Sequence, residues 1–296
     1  MRTVFLGTSE FAVEVLRRLT ASEHAPQLVV TRPDRPRGRG RRLAAPPAAE
    51  AARDLGVPVV QPASVNDDAA LEAIAAVHPE AVCVCAFGGL IKEPLLSAYR
   101  MLNLHPSLLP RWRGAAPIER AIMAGDEFTG VSIMKVSAGL DSGPVCAQRT
   151  EPIRPEDTYG TLSARLAQVG GELLVQTLTA DPPCTDQDER EATYADKIDS
   201  DDRRLDPAGD ARELERVVRA LSPHVGAFVG LPDGLQLGVS EARALPDDLG
   251  VPGQLVVADG DGPVVSCGQG GLELVRVKPP GRKEMSGAEW ARGYLR

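Results

Sequence analysis

The stretch Met1-Arg2-Thr3-Val4-Phe5-Leu6-Gly7-Thr8-Ser9-Glu10-Phe11-Ala12-Val13 decides the fold. Residues 3–6 form a short apolar run that ends on a glycine, and residues 11–19 then carry apolar side chains at helical spacing. The pattern is a strand, a tight turn and a helix, not a secretory signal. Working outward, residues 27–31, 58–61 and 81–86 are short apolar runs of the kind buried on both faces of a sheet, and residues 69–77 again have helical spacing. Strand–helix alternation predicts right-handed βαβ units and a parallel sheet covered on both sides. Residues 101–104, 131–136 and 145–148 continue the series, and a long helix over about 157–179 closes it.

Composition shifts at Asp181-Pro182-Pro183-Cys184-Thr185-Asp186 and again at Asp199-Ser200-Asp201-Asp202. Proline and acidic residues without periodicity predict a linker. Beyond it, Asp210 with Glu213 forms a capping-box pattern, and Leu214, Val217, Val218 and Leu221 give the helix one apolar face. The remainder is short apolar runs broken by Pro-Asp-Gly and Asp-Gly-Asp-Gly turns, which predicts a small β-barrel or sandwich.

The chain has 296 residues, 43% apolar and 25% charged, and a net charge of −8. These values exclude a disordered or collagen-like chain, and no apolar run approaches the roughly 18 residues of a membrane span. Cys83, Cys85, Cys146, Cys184 and Cys267 are odd in number and scattered, which argues against a disulfide framework. The four histidines join no Cys/His cluster, so no structural metal is expected. A soluble, reduced, cytoplasmic protein is the expectation.

Ligands of open parallel sheets bind beyond the C-terminal strand ends. That rule gathers Gly7-Thr8, Phe87-Gly88-Gly89-Leu90, Asn103-Leu104-His105 and the loop holding Asp141 at one edge. There is no G-x-G-x-x-G and no Walker motif, so a standard dinucleotide or nucleotide site is not indicated. Asn103 and His105, two apart in extended chain, share a face, and Pro106 holds the residue before it extended. Asp141, in Ala138-Gly139-Leu140-Asp141-Ser142-Gly143, sits in a glycine-flanked loop able to bring its carboxylate to His105. No nucleophile completes a hydrolase triad: Ser107 lacks an elbow sequence, and Cys83 and Cys85 read as core. An Asn–His–Asp set without a nucleophile suits a substrate amine attacking a carbonyl.

Residues 32–42, Arg-Pro-Asp-Arg-Pro-Arg-Gly-Arg-Gly-Arg-Arg, hold six arginines without apolar periodicity. They read as a loop that is either simply solvated or binds phosphate backbone through Arg35, Arg37, Arg39, Arg41 and Arg42. Trp112, between Arg111 and Arg113, either extends that surface by stacking or packs beneath it.

Taken in order, these segments resemble the methionyl-tRNA formyltransferase family. The matching pieces are Gly7-Thr8-Ser9-Glu10-Phe11-Ala12, Arg32-Pro33-Asp34-Arg35-Pro36, Asn103-Leu104-His105-Pro106-Ser107-Leu108-Leu109-Pro110 running into Arg111-Trp112-Arg113-Gly114, Gly139-Leu140-Asp141-Ser142-Gly143 and Lys278-Pro279-Pro280-Gly281-Arg282-Lys283. The resemblance implies a Rossmann-like α/β formyltransferase domain in residues 1–190, a linker at 191–206 and an OB-like β-barrel domain in 207–296. It implies Asn103, His105 and Asp141 as the catalytic set, with no metal. Ser107, Leu108, Leu109 and Pro110 would line the site of 10-formyltetrahydrofolate, and Phe87, Gly88, Gly89 and Leu90 its pterin pocket. The basic loop, Arg39 foremost, would reach methionyl-initiator-tRNA, and the protein would act as a monomer. A formyltransferase or hydrolase acting on a small amine is the alternative. The chain departs from the family pattern at Ala48-Ala49, at Phe87-Gly88-Gly89 and at His224.

Overall fold

Five consecutive buried residues make the first strand an interior strand of a sheet. In the computed structural model, described over residues 1–37, 42–231, 234–247, 250–257 and 262–294, the elements run as follows. The first part comprises β1 (Thr3–Gly7), α1 (Glu10–Thr20), β2 (Pro26–Val30), β3 (Arg35–Arg37), β4 (Arg42–Ala44), α2 (Pro47–Asp54), β5 (Val59–Val60) and α3 (Asp68–Ala76). Then come β6 (Ala81–Cys85), α4 (Leu95–Ala98), β7 (Met101–His105), β8 (Arg113–Gly114), α5 (Pro117–Ala124), β9 (Phe128–Lys135), β10 (Val145–Pro152) and α6 (Tyr159–Ala180). The last are β11 (Tyr194–Ala195), β12 (Arg204–Leu205), α7 (Ala211–Leu221), β13 (Ala227–Gly230), β14 (Gln236–Leu245), β15 (Leu255–Val257), β16 (Pro263–Ser266), β17 (Gly271–Lys278), β18 (Met285–Ser286) and α8 (Gly287–Tyr294). Two compact units result, one of Met1–Gly114, Phe128–Pro152 and Ser163–Tyr194, the other of Ala115–Glu127, Ile153–Leu162 and Ala195–Arg296. They interleave along the chain, because α5 and the start of α6 fall in the second unit.

In the first unit the strand order is β10-β9-β7-β6-β1-β2-β5. The five strands β7, β6, β1, β2 and β5 are parallel, as the strand–helix alternation requires. β9 and β10 are not: β9 runs antiparallel to β7, and β10 antiparallel to β9. The expected continuation of the parallel series therefore stops at β7. Continuous apolar runs mark burial, not direction, and the short β9–β10 connection is what permits an antiparallel pair.

One face of this sheet packs Val4, Leu6, Val82 and Val84 with Ile74, Leu95 and Met101. The register sets Asn103 beside Val84, on that face, and Leu104 beside Cys85, on the opposite one. Gly170 of α6 lies so close to Leu104 that a Cβ there would come within 2.8 Å of a Leu104 methyl. Cys83 and Cys85 are wholly buried, and burial pushes the Cys83 thiol up to about 12 and the Cys85 thiol up also. Both are core residues. An unanticipated helix, α2, buries Ala48, Ala49, Ala51 and Ala52. Its alanines gave no periodic signal, and Ala48-Ala49 offer no polar surface.

The basic stretch is not wholly a loop. β3 and β4 pair antiparallel, Arg35 opposite Ala44 and Arg37 opposite Arg42, so it is a β-hairpin; Arg39 and Arg41 lie outside the described residues. A disulfide joins Cys146 to Cys184, against the expectation of a reduced protein without a disulfide framework. The two are 38 positions apart and become neighbours because Val145 and Thr185 form an antiparallel bridge, which spacing alone cannot reveal.

In the second unit the pairing path is β12-β13-β14-β17-β16-β15, with β18 on β17. Among the described residues no pairing joins β12 to β15. α7 lays Leu214, Val218 and Leu221 into its core with Val229, Val239, Leu274 and Trp290. The Asp210 carboxylate caps α7 by accepting the Arg212 N–H at 2.7 Å, while Glu213 pairs with Arg216 at 3.8 Å instead of reaching back. The expected linker is ordered in part: Ala195 and Leu205 are buried, and Asp202 holds Arg120 through two bonds of 2.6 and 2.7 Å. His224 stacks on Tyr159 at 3.6 Å and donates to the Glu119 carboxylate at 3.0 Å. No helix of the described residues is long and apolar enough to cross a membrane.

Candidate active site

β7 delivers Asn103 and His105 on one face, as the two-residue period requires. Asn103 is partly exposed, and its amide has no protein partner among the described residues; His105 is 4% exposed. The ring Nε2 lies 2.8 Å from the Trp112 carbonyl oxygen. A carbonyl only accepts, so Nε2 carries a proton and donates it there. Nδ1 is then the basic nitrogen of the neutral ring, and it faces Asp141 Oδ2 at 3.6 Å. A proton arriving at Nδ1 meets a carboxylate, which stabilises the imidazolium it creates.

The Trp112 carbonyl is placed by unusual backbone. Trp112 has φ 61°, in the left-handed region, and the Leu109–Pro110 peptide is cis. Ser107, fully buried, donates its hydroxyl to the Arg111 carbonyl at 2.6 Å, and the Trp112 N–H donates to Thr193 Oγ1 at 2.9 Å. The turn from Ser107 to Pro110 is pinned in addition by Ser132, whose hydroxyl donates to the Ser107 carbonyl and accepts from the Leu109 N–H, and by Gln148, which donates to the Leu109 carbonyl at 2.8 Å. Ser107 and Leu109 are buried, so only Leu108 and Pro110 of this quartet offer partly open side-chain surface.

Asp141 reaches His105 by a route the parallel reading did not contain. Since β9 is antiparallel, its end, Lys135, lies beside Leu102 while Ser132 lies beside His105. The loop after β9 must double back to bring Asp141 to the imidazole. Val136 starts it against the cluster that holds Val84. Asp141 itself has φ 45°, and a Cβ on Gly143 would run into the Lys135 carbonyl oxygen, so glycine is required there. The Gly114 N–H donates to Asp141 Oδ2 at 2.9 Å.

After β6, Phe87 is buried, whereas Gly88 and Leu90 are exposed. Three side chains hold the carbonyls of this loop: Thr8 donates to Phe87 at 2.7 Å, Arg32 to Gly88 at 2.8 Å and Asn66 to Leu90 at 2.8 Å. Arg32 thus turns inward, away from the basic hairpin. Arg35 and Arg42 are exposed. The Arg111 guanidinium lies 4.4 Å over the Trp112 ring. Arg113 is no part of a basic surface: it is 1% exposed and clasped by Glu189 at 2.8 and 2.9 Å. Sequence reasoning missed the Trp112 carbonyl altogether, for a backbone acceptor has no residue signature.

Two family models cover the chain between them, formyl transferase over residues 1–178 and formyl transferase C-terminal domain over 197–295, and the chain belongs to the formyl transferase family. Within it the chain stands with the methionyl-tRNA formyltransferases: it is 42% identical to that of Methylococcus capsulatus over 300 residues, 99% of this chain and 97% of that one. Among solved structures, the methionyl-tRNA formyltransferase from Clostridium thermocellum matches with a TM-score of 0.61 at 15% identity, over 94% of this chain and 99% of that one. HypX from Aquifex aeolicus, in complex with tetrahydrofolic acid, gives 0.70 at 20% identity over all of this chain and 48% of that chain, so this chain spans about half of HypX. At such identities these two matches establish the fold alone.

Proposed function

We propose that the chain transfers the formyl group of 10-formyltetrahydrofolate to the α-amine of methionine esterified to initiator tRNA, with residues 1–190 as the catalytic part and 207–296 as the C-terminal domain. The observation that carries this reading is an imidazole whose Nδ1 faces a carboxylate at 3.6 Å, beside an amide on the same strand that has no protein partner among the described residues. The neutral amine attacks the formyl carbon and the carbonyl electrons move to oxygen. The Asn103 amide donates to that oxyanion. His105 Nδ1 takes the proton leaving the amine, Asp141 stabilises the imidazolium, and the proton passes to the departing folate nitrogen. Leu108 and Pro110, with Gly88, Gly89 and Leu90, are the surfaces assigned to the folate. The hairpin arginines Arg35, Arg37 and Arg42, with Arg39 and Arg41 between them, are assigned to tRNA phosphates.

The deciding experiment incubates the protein with 10-formyltetrahydrofolate and methionyl-initiator-tRNA and looks for formylmethionine on the tRNA. Its appearance at a catalytic rate is expected. Formyl-folate hydrolysis without transfer, or transfer only to a free small amine, would overturn the reading.

A further inference from the structure

The loop bearing Asp141 has to be held, because it doubles back along the sheet and places a non-glycine residue at φ 45°, a conformation that costs about 1–2 kcal/mol. One side chain outside the catalytic set takes that task. We propose that Gln187 is a positioning residue for the reaction, fixing Asp141 where its carboxylate meets His105. The proposal rests on the reading of Asp141 as a catalytic residue.

The Gln187 amide is saturated. Its Nε2 donates to the main-chain carbonyls of Asp141 at 2.8 Å and of Gly143 at 2.7 Å, spending both hydrogens on the same loop. Its Oε1 accepts from Arg113 Nε at 3.0 Å and Nη2 at 2.9 Å. These partners leave no choice of amide orientation, since carbonyls need the N–H side and a guanidinium needs the oxygen. Arg113 in turn is immobilised by burial and by the bidentate Glu189 clasp, which holds the Glu189 carboxyl below its ordinary range. Gly114, next to Arg113, grips the Asp141 carboxylate through its N–H. Asp141 is therefore held at its main chain by Gln187 and at its side chain by Gly114, both tied to one short strand. The segment carrying Gln187 is itself fastened to the start of β10 by the Cys146–Cys184 disulfide and by the Val145–Thr185 pairing at 2.8 and 2.9 Å. The hydrogen bonds of Gln187 go to Asp141, Gly143 and Arg113 and not to His105, so its effect passes through Asp141.

Gln187→Glu in the full-length protein separates positioning from folding. The new carboxylate still accepts from Arg113, but it turns oxygen toward the two loop carbonyls. We expect kcat to fall about 10- to 100-fold, as misplacement of a catalytic group by an ångström can do. The KM for 10-formyltetrahydrofolate should stay within about threefold. Gln187→Asn, one methylene short of bridging loop and guanidinium, should show the same split and carries the test should thermal melting show Gln187→Glu unfolded. In an Asp141→Ala background either change should cost less than about threefold more, because the group it positions is gone. Parental kcat in both Gln187 variants, or losses that multiply fully with Asp141→Ala, would overturn the proposal while Asp141→Ala alone stays impaired. Parental turnover in Asp141→Ala would instead overturn the catalytic reading itself, and this proposal with it.

Discussion

At the scale of single residues, the structure gives His105 a definite polarity. With Nε2–H committed to the Trp112 carbonyl, only Nδ1 is available to move a proton, and Asp141 stands beside it. Asn103→Ala, His105→Ala and Asp141→Ala are each expected to lower the formylation rate at least about 100-fold, the scale of removing one oxyanion donor. Single-turnover rates at saturating folate test this, and near-parental rates in all three would sink the mechanism. The Asn103–His105 pair was legible in the sequence because a period of two is a local property of extended chain. The approach of Asp141 was legible only as a possibility of its glycine-flanked loop. Its actual path depends on β9 being antiparallel, on a left-handed residue and on Gln187, which follows directly on the proline- and acid-rich stretch 181–186.

At the scale of elements, helix placement and site geometry are linked through Leu104, which lies between Asn103 and His105 and under Gly170 of α6. A glycine in mid-helix costs roughly 1 kcal/mol relative to alanine. Here it lets the helix settle on β7. Gly170→Ile is expected to destabilise by about 1–3 kcal/mol through overpacking and to depress turnover together with Tm. A rise in Tm with unchanged turnover would show that the helix has room to spare. The Cys146–Cys184 link closes 38 residues of chain, which the chain-entropy model values at about 4 kcal/mol. Denaturation without reductant should accordingly expose three titratable thiols of five, and reductant should lower Tm. Five reactive thiols would remove the link. The element types were legible from periodicity. The alanine-rich α2, the sense of β9 and β10, and the β3–β4 hairpin were not, since each is fixed by partners distant in sequence or by backbone hydrogen bonds indifferent to side-chain type.

At the scale of the whole chain, positive charge is concentrated rather than spread. Residues 32–42 carry +5, six arginines less Asp34, against a total of −8, so the remainder carries −13. A concentrated basic hairpin on an acidic body favours local capture of a polyanion and discourages binding elsewhere. Raising salt from 50 to 200 mM is expected to increase the KM for charged tRNA at least about tenfold, as a few phosphate contacts require, with far less effect on the folate KM. Arg39→Ala should raise the tRNA KM, flatten that salt dependence and leave folate binding intact. An unchanged tRNA KM in Arg39→Ala would remove that arginine from the interface.

The sequence by itself determined the strand–helix alternation, the parallel core of the sheet, the pair Asn103 and His105 and the clustering of basic charge. All four are encoded in residues close together in the chain: side-chain period, proline and local composition. Only the tertiary structure decided that the sheet turns antiparallel after β7, that Cys146 meets Cys184, and that Arg113 is buried rather than displayed. It also decided which nitrogen of His105 is left to act. These depend on backbone carbonyls and on contacts between residues from 7 to 76 positions apart, where hydrogen-bond geometry, not residue type, selects the partner.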